Sequence, residues 1–318
     1  MFNGKSVLIT GGTGTFGTAM TKAILQQYEP RRLIIFSRDG LKQETMRRTR
    51  FPQSCMRWMV GDVRDLRRLH QAFEEVDVIF HAAALKQILA CEYNPFEAIK
   101  TNILGSMNVI EAAIARNVGM VVAISSDKSC HPANMYGATK MCMERLFVNS
   151  TAYVGLNHPT VLGLVRYGNV AGSRGSVAHV FDSQKGTGEV AITDPRMTRF
   201  WFTIEEAVAF TLARLGDMAG GEIFVPKIPS ARIVDVAEAI APGCKVRTVG
   251  VRPGEKMHET LIAHGECAID CGSYYVIAPS GSLASLGMGT TEYRSDTNSE
   301  WVTVDEIRRW WNEYKDTL

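Results

Sequence analysis

The stretch from Ser6 to Gly17 constrains the fold more than any other. Ser6-Val7-Leu8-Ile9-Thr10 reads as a strand and runs straight into Gly11-Gly12-Thr13-Gly14-Thr15-Phe16-Gly17, after which a helix is expected to about Gln27. The glycines fit both G-x-G-x-x-G (Gly12, Gly14, Gly17) and G-x-x-G-x-x-G (Gly11, Gly14, Gly17). Glycine allows the tight turn and lets backbone approach a pyrophosphate at the helix N-terminus. Glycine turns alone are common, but one that follows a strand and opens a helix specifies dinucleotide binding. Gly11, Thr13, Gly14, Thr15, Phe16 and Gly17 are the first candidate cofactor contacts.

The second strand, Arg32 to Phe36, ends in Ser37-Arg38-Asp39, with Lys42 close behind. A site selective for NAD wants a carboxylate here for the ribose 2′-hydroxyl. Ser37, Arg38 and Lys42 suit a 2′-phosphate instead, which favours NADP; Asp39 is the counter-argument, and a solvated loop arginine is the bland alternative. Third and fourth strands are expected at Arg57 to Val60 and Asp77 to His81. Asp62 and Val63 follow the third within reach of an adenine, and Ala82-Ala83-Ala84 after the fourth keep side chains small beside a cofactor. Lys86 projects into the same mouth, either as a phosphate or substrate contact or as a solvated lysine, while His81 reads as a structural histidine. One long helix is expected from about Asn94 to Arg116, with Asn102 as a polar residue inside it.

A fifth strand, Met120 to Ile124, delivers the polar cluster Ser125-Ser126-Asp127-Lys128 to its C-terminal end, where open α/β sheets place ligands. Tyr136 and Lys140 follow, four apart on the next helix and so on one face. An ammonium beside a phenol favours the phenolate, making a proton-transfer group for an alcohol or ketone carbon. Of nine tyrosines only Tyr136 has a lysine four residues on, which argues against a chance surface pair. Thr160 to Arg166 supplies a sixth strand. The order implies an α/β fold, a Rossmann-type doubly wound parallel sheet over residues 1–168. From 169 to 318 the character changes to a smaller part, whose chain is free to cross back to the sheet. Arg196, Arg199 and Arg252 recur there in loops beside aromatic or Pro-Gly signals, where they could clamp a diphosphate or simply be solvated. Gly281 to Leu318 carries no chemical motif, though Trp301, Trp310 and Trp311 suggest a packed helix.

With 46% hydrophobic and 21% charged residues over 318, the composition is that of an ordinary soluble protein. A net charge of +2 supports neither a nucleic-acid nor a membrane-surface role, and no apolar run approaches the ~18 residues of a membrane span. The seven cysteines lack metal spacing, so no metal site is expected, and reduced thiols in a cytoplasmic protein are the natural reading.

These motifs resemble the extended short-chain dehydrogenase/reductase family. Longer strings, among them Gly61-Asp62-Val63-Arg64-Asp65-Leu66, His81-Ala82-Ala83-Ala84-Leu85-Lys86, Val165-Arg166-Tyr167-Gly168-Asn169-Val170, Arg196-Met197-Thr198-Arg199-Phe200-Trp201 and Arg252-Pro253-Gly254-Glu255-Lys256, narrow the resemblance. They are similar to those of the soluble inverting UDP-N-acetylglucosamine 4,6-dehydratases that begin pseudaminic acid synthesis. The match is close to about residue 262 and loose afterwards. The resemblance implies NADP as a regenerated cofactor and UDP-N-acetylglucosamine as substrate. The C4 hydroxyl is oxidised, water is eliminated across C5 and C6, and hydride returns to C6. Tyr136 would take the C4 hydroxyl proton with Ser126 orienting, and Lys140 would lower the Tyr136 pKa and hold the nicotinamide ribose. Asp127 would be the acid at C6 and Lys128 the base at C5, which requires a depressed Lys128 pKa. Asn169, Thr193, Arg199, Arg252 and Glu255 map onto UDP-sugar contacts, making 169–318 mainly the nucleotide-sugar-binding part. The resemblance also implies a homo-oligomer and flagellin glycosylation as the common destination. Membrane-bound retaining relatives carry Met where Tyr136 stands, which points to inversion here. Ser129-Cys130-His131 and Gln87-Ile88-Leu89 depart from the pattern at the site mouth. A 4-epimerase would need Tyr136 and Lys140 but not Asp127 and Lys128, and a dinucleotide-sensing regulator would need only the glycine turn.

Overall fold

The computed structural model describes residues 1–152, 154, 158–173, 175–279 and 292–315. In the first half, buried apolar runs alternate with helices that present one face to them. Strand β1 (Ser6–Thr10) is buried throughout and passes through the glycine turn into α1 (Thr15–Gln27). The pattern repeats in β2 (Arg32–Ser37), α2 (Gly40–Thr49), β3 (Met56–Val60), α3 (Leu66–Ala72) and β4 (Val78–His81). Asp39 and Asp65 start α2 and α3 as N-caps, accepting from the backbone N–H of Lys42 and Arg68.

A short helix, α4 (Ile88–Tyr93), precedes the one expected from about Asn94 to Arg116, which forms as an unbroken run of α5 (Pro95–Ala98), a π-helical turn at Ile99–Leu104 and α6 (Gly105–Ala115). The wide turn aims Asn102 inward, where its side chain accepts from Leu85 N (2.8 Å) and donates to Leu85 O (2.9 Å) and Thr139 Oγ1 (2.9 Å). Strand β5 (Met120–Ser126) runs two residues beyond the apolar stretch and ends in a single 3₁₀ turn, Asp127–Ser129, before α7 (Met135–Asn149) and β6 (Val161–Tyr167).

The second half comprises β7 (Asn169–Val170), α8 (Val177–Gln184), β8 (Glu189–Ile192), β9 (Thr198–Phe202), α9 (Ile204–Arg214), β10 (Ile223–Pro226), β11 (Ser230–Arg232) and α10 (Ile233–Ile240). It closes with β12 (Lys245–Thr248), β13 (Thr260–Ile262), β14 (Ala268–Asp270), β15 (Tyr274–Ile277), β16 (Tyr293–Arg294) and α11 (Val304–Tyr314). Capping boxes, Thr203 with Glu206 and Thr303 with Glu306, open α9 and α11. Trp310 and Trp311 belong to α11, whereas Trp301 precedes it, beneath the Arg232 guanidinium. Residues 280–291 and 316–318 of the C-terminal stretch lie outside the described residues.

Among the described residues the main sheet has nine strands in the order β14-β15-β10-β6-β5-β4-β1-β2-β3. Its strands are parallel except at β10–β15 and β15–β14, which are antiparallel. This is the expected doubly wound sheet, and the chain crosses back to it through β10, β14 and β15. The strand order reverses at β1, between β2 and β4, which opens the crevice in which such sheets bind ligands. Three small sheets, β11-β9-β7, β12-β8 and β13-β16, carry the segments of the opposite wall. One core runs through both halves, from Val7 and Ile9 to Phe224 and Trp311. Among the described residues no helix is long and apolar enough to cross a membrane.

Candidate active site

A cavity of about 910 Å³ lies over the carboxyl ends of the central strands. Gly11, Thr13, Gly14, Thr15, Phe16 and Gly17 line it at the first turn, and Ser37, Arg38, Lys42, Asp62 and Val63 at the next two strand ends. Ala82, Ala83 and Lys86 follow from β4, then Ser126, Lys128, Tyr136 and Lys140. Asn169, Thr193, Arg199, Arg252 and Glu255 close it from the second half. Asp127 is the exception: it is wholly buried behind the wall.

The first turn fits a dinucleotide. Gly11 has φ +65°, and a Cβ there would stand 2.9 Å from the backbone of Ala82 and Ala83, so the two loops meet only with glycine. Gly14 offers no side-chain cap to α1, which leaves the first-turn amides to a phosphate. Asp39, the residue that argues for NAD, lines the same end of the cavity, but its carboxylate is engaged as the N-cap of α2. Its carboxylate accepts from Lys42 N (3.0 Å), which holds it below the ordinary carboxylate range, and lies 3.3 Å from Lys42 Nζ. The Asp62 carboxylate is likewise engaged, with Arg64 at 2.7 Å. His81 ties β1 to α6, its ring nitrogens 2.8 Å from Thr10 Oγ1 and 3.1 Å from Ser106 Oγ. Burial, helped by the Lys140 charge, pulls its pKa to about 3, so it is a neutral structural tie.

The reactive groups converge because β5, its 3₁₀ turn and α7 are packed without slack. A Cβ on Gly137 would stand 2.2 Å from Lys128 O. Asn134 caps α7 by accepting from Gly137 N (2.9 Å), which sets Tyr136 in the first turn and Lys140 one turn on. Lys128 Nζ donates to Asp127 Oδ1 (3.0 Å) and Asn169 Oδ1 (3.1 Å) and lies 3.5 Å from Glu259 Oε1. Ser126 Oγ also donates to Asp127 Oδ1 (2.8 Å), while Asp127 Oδ2 is buried with no hydrogen-bond partner among the described residues.

Two expectations are corrected here. Lys140 does not lower the Tyr136 pKa: its ammonium donates to Ile124 O (2.6 Å) and lies 3.0 Å from Met143 Sδ. Burial pushes the Tyr136 phenol up to about 12, opposed by the Lys128 charge and the Ser126 hydroxyl, and burial pulls Lys140 down to about 8. Nor is the Lys128 pKa depressed. Burial disfavours its ammonium, but Asp127 and Glu259 outweigh that and hold it above the ordinary lysine value. Burial raises Asp127 in turn, so the two groups compete for one proton.

Several roles shift with these contacts. Asn169 braces Lys128, and Lys86 donates to Ser173 Oγ (2.8 Å), tying the two halves together. The Arg199 guanidinium donates to the carbonyls of Thr198, Met257 and Lys256 (2.7, 3.1 and 3.0 Å), bracing the segment after Arg252. Arg196 is a surface residue paired with Asp194 and does not line the cavity. Glu255 Oε2 is buried with no partner among the described residues, an acceptor left for a ligand donor. Sequence reasoning missed Glu259, buried in the cavity wall among Lys128, Arg199 and Lys256. These cations outweigh its burial and hold its pKa near 2. Also missed was the knot beneath the turn, where Arg166 bonds Glu144 (2.9 and 2.7 Å) and Glu266 (2.8 and 2.8 Å).

Residues 7–278 match the family model described as polysaccharide biosynthesis protein. The chain belongs to this family. Within reach of it stands the UDP-N-acetylglucosamine 4,6-dehydratase (inverting) of Campylobacter jejuni, 44% identical over 326 residues, covering 96% of this chain and 97% of the relative. The UDP-glucose 4-epimerase of Rickettsia felis is 41% identical, covering 88% of this chain and 85% of its own. Among solved structures, Pen from Bacillus thuringiensis superposes with a TM-score of 0.89 at 37% identity, covering 98% of both chains. The family match thus spans the glycine turn, the β5 cluster and the segment at Arg252, all of which meet in the one cavity.

Proposed function

We propose that this chain is an inverting UDP-N-acetylglucosamine 4,6-dehydratase, a hydro-lyase using NADP. One observation carries the reading: Lys128, paired with the buried Asp127 behind it, stands beside Ser126 and Tyr136 in a single cavity with the glycine turn. Held at the glycine turn by Gly11 to Gly17, the dinucleotide would supply the hydride acceptor for C4 and the hydride donor for C6. The chain's own residues handle protons. Tyr136 takes the C4 hydroxyl proton in its phenolate form, which the Lys128 charge and the Ser126 hydroxyl favour against burial, with Ser126 orienting the substrate hydroxyl; Tyr136 then returns a proton to C5, on the face opposite Lys128, as hydride reaches C6. Lys128 takes the C5 proton. Its neutral form arises when the proton shared with Asp127 moves onto the carboxylate, a shift that burial favours because both groups lose charge. Asp127 then supplies the proton for the departing C6 hydroxyl, relayed across Ser126 Oγ, since it has no face on the cavity. Lys140 holds the nicotinamide ribose. Arg252, Glu255 and Thr193 hold the UDP end, with Glu255 Oε2 accepting from a hydroxyl.

The similarity to 4-epimerases of the Rickettsia felis kind supports a second reading, C4 epimerisation without elimination. Incubation with UDP-N-acetylglucosamine in heavy water separates the two. The expected product is the 4-keto-6-deoxy-β-L-arabino-hexulose derivative with one deuterium at C5, and a C4 label transferred to the C6 methyl. Its NMR spectrum must be recorded early, before C5 epimerises. A C4 epimer with an intact C6 hydroxyl would overturn the reading, and a D-xylo product from the first minutes would overturn inversion. We place this step in the cytoplasm at the head of pseudaminic acid synthesis.

Ser37 and Arg38 at the end of β2, with Asp39 committed to its cap, support NADP over NAD. Calorimetric titration is expected to show tighter binding of NADP, with Arg38→Ala losing roughly 10–100-fold for NADP and little for NAD, the range of one or two charge-assisted bonds. Equal affinities in the wild type would refute the preference.

A further inference from the structure

The segment after Arg252 reaches the catalytic turn through groups that the reaction above leaves idle. Lys256 Nζ donates to Cys130 O (2.7 Å), lies 3.5 Å from Asp127 O and pairs with Glu259 Oε2 at 3.0 Å. One ammonium therefore closes both ends of the Asp127–Ser129 turn: the carbonyl of its first residue and that of the residue just past it. Asn134 Nδ2, donating to Gly254 O (2.8 Å), ties the same segment to the N-cap of α7. Tyr136 and Lys140 are held by that N-cap and by the Lys140 bond to Ile124 O, and Lys256 takes part in neither contact.

We propose that Lys256 is a positioning residue that transmits occupancy of the Arg252–Glu255 end of the cavity to the turn presenting Lys128. It governs the elimination half of the reaction and leaves C4 oxidation to α7. Two effects act in the same direction when it is removed. The turn loses its clamp, so Lys128 is less well placed over C5. Glu259 also loses a cation, so it leans harder on the Lys128 ammonium and makes the neutral form rarer.

The inference rests on the dehydratase reading, and the experiment keeps the two apart. Wild type, Lys256→Met, Lys256→Gln and Lys256→Arg are compared with UDP-N-acetylglucosamine for kcat, KM, deuterium uptake at C5 and the near-ultraviolet absorbance of reduced nicotinamide. Amide exchange of the peptide spanning 127–134 is measured without substrate. Lys256→Met is expected to lose roughly 10–100-fold in kcat, the scale of an ångström-sized misplacement, with KM within about threefold. Deuterium uptake should fall by the same factor while reduced nicotinamide accumulates, because C4 oxidation outruns elimination. Amides of the turn should exchange faster, Lys256→Arg should recover most of the rate, and Lys256→Gln should repeat the pattern if Lys256→Met does not fold. A kcat within about twofold of wild type, or loss of C4 oxidation in parallel with elimination, would overturn the proposal. A wild type that forms no dehydrated sugar would instead sink the dehydratase reading, and the amide exchange would still report whether Lys256 clamps the turn.

Discussion

Lys128→Ala is expected to bind dinucleotide as the wild type does and to dehydrate UDP-N-acetylglucosamine at least about 100-fold more slowly, the usual worth of a positioned acid–base group. Solvent exchange at C5 should stop with it. Turnover within about threefold of wild type would show that the base lies elsewhere. The geometry adds a sharper companion. Because Lys128 rests as an ammonium between Asp127 and Glu259, its neutral form depends on a place for the proton to go, and Asp127 is that place. Asp127→Asn should therefore be about as damaging as Lys128→Ala, although Asp127 has no face on the cavity. If Asp127 were only a structural partner of Ser126, the asparagine, which keeps the acceptor oxygen, would retain most of the rate.

The largest loss of stability is expected from Arg166→Met. Its guanidinium is 2% exposed and joins β6 to Glu144 on α7 and to Glu266 before β14, with a further bond to Leu261 O at 3.0 Å. Glu144 Oε1 also accepts from Ser125 Oγ (2.6 Å) and Ser129 Oγ (2.7 Å), so the knot underlies the catalytic turn. Removing the cation strands two carboxylates, one fully and one largely buried, which costs about 3–5 kcal/mol when a buried pair loses one partner. Urea unfolding should show the midpoint falling with an unchanged slope. A change below about 1 kcal/mol would mean that water reaches the carboxylates and rehydrates them. Adding Glu144→Leu and Glu266→Leu should restore part of the loss, since an apolar replacement leaves no charge uncompensated.

The alternating apolar runs made the sheet legible from residues alone, because parallel strands buried on both faces have few ways to be written. The glycine turn and the Tyr136–Lys140 spacing were legible for the same reason: each is a local pattern whose chemistry lies within a few residues. What stayed hidden depends on distant pairs. The π-helical turn at Ile99–Leu104 owes its shape to Asn102 meeting Leu85 and Thr139, and nothing near Asn102 announces those partners. Glu259 looks like any helix-free glutamate until Lys128 arrives from 131 positions earlier. The sign of the Lys128 shift follows from that meeting, so the depressed value that the role of base required is the opposite of what Asp127 and Glu259 impose. Lys140 was misjudged by rotamer and not by register: it shares a helix face with Tyr136, yet its ammonium reaches back to Ile124.

The sheet order has a consequence for how the protein is made. β6 ends at Tyr167, and the strand that covers its outer edge, β10, begins at Ile223; β15, which covers β10 in turn, ends at Ile277. At roughly 5–20 residues per second, a ribosome takes roughly 3–11 s to add the stretch between β6 and β10, and about as long again to reach the end of β15. Throughout the first interval the nascent chain holds a half-built parallel sheet whose Leu162, Leu164 and Val165 edge has no neighbour. That edge is an aggregation risk of synthesis and not of the finished molecule, so yield in a foreign host should respond to slower translation or to chaperone supply more than to any surface substitution.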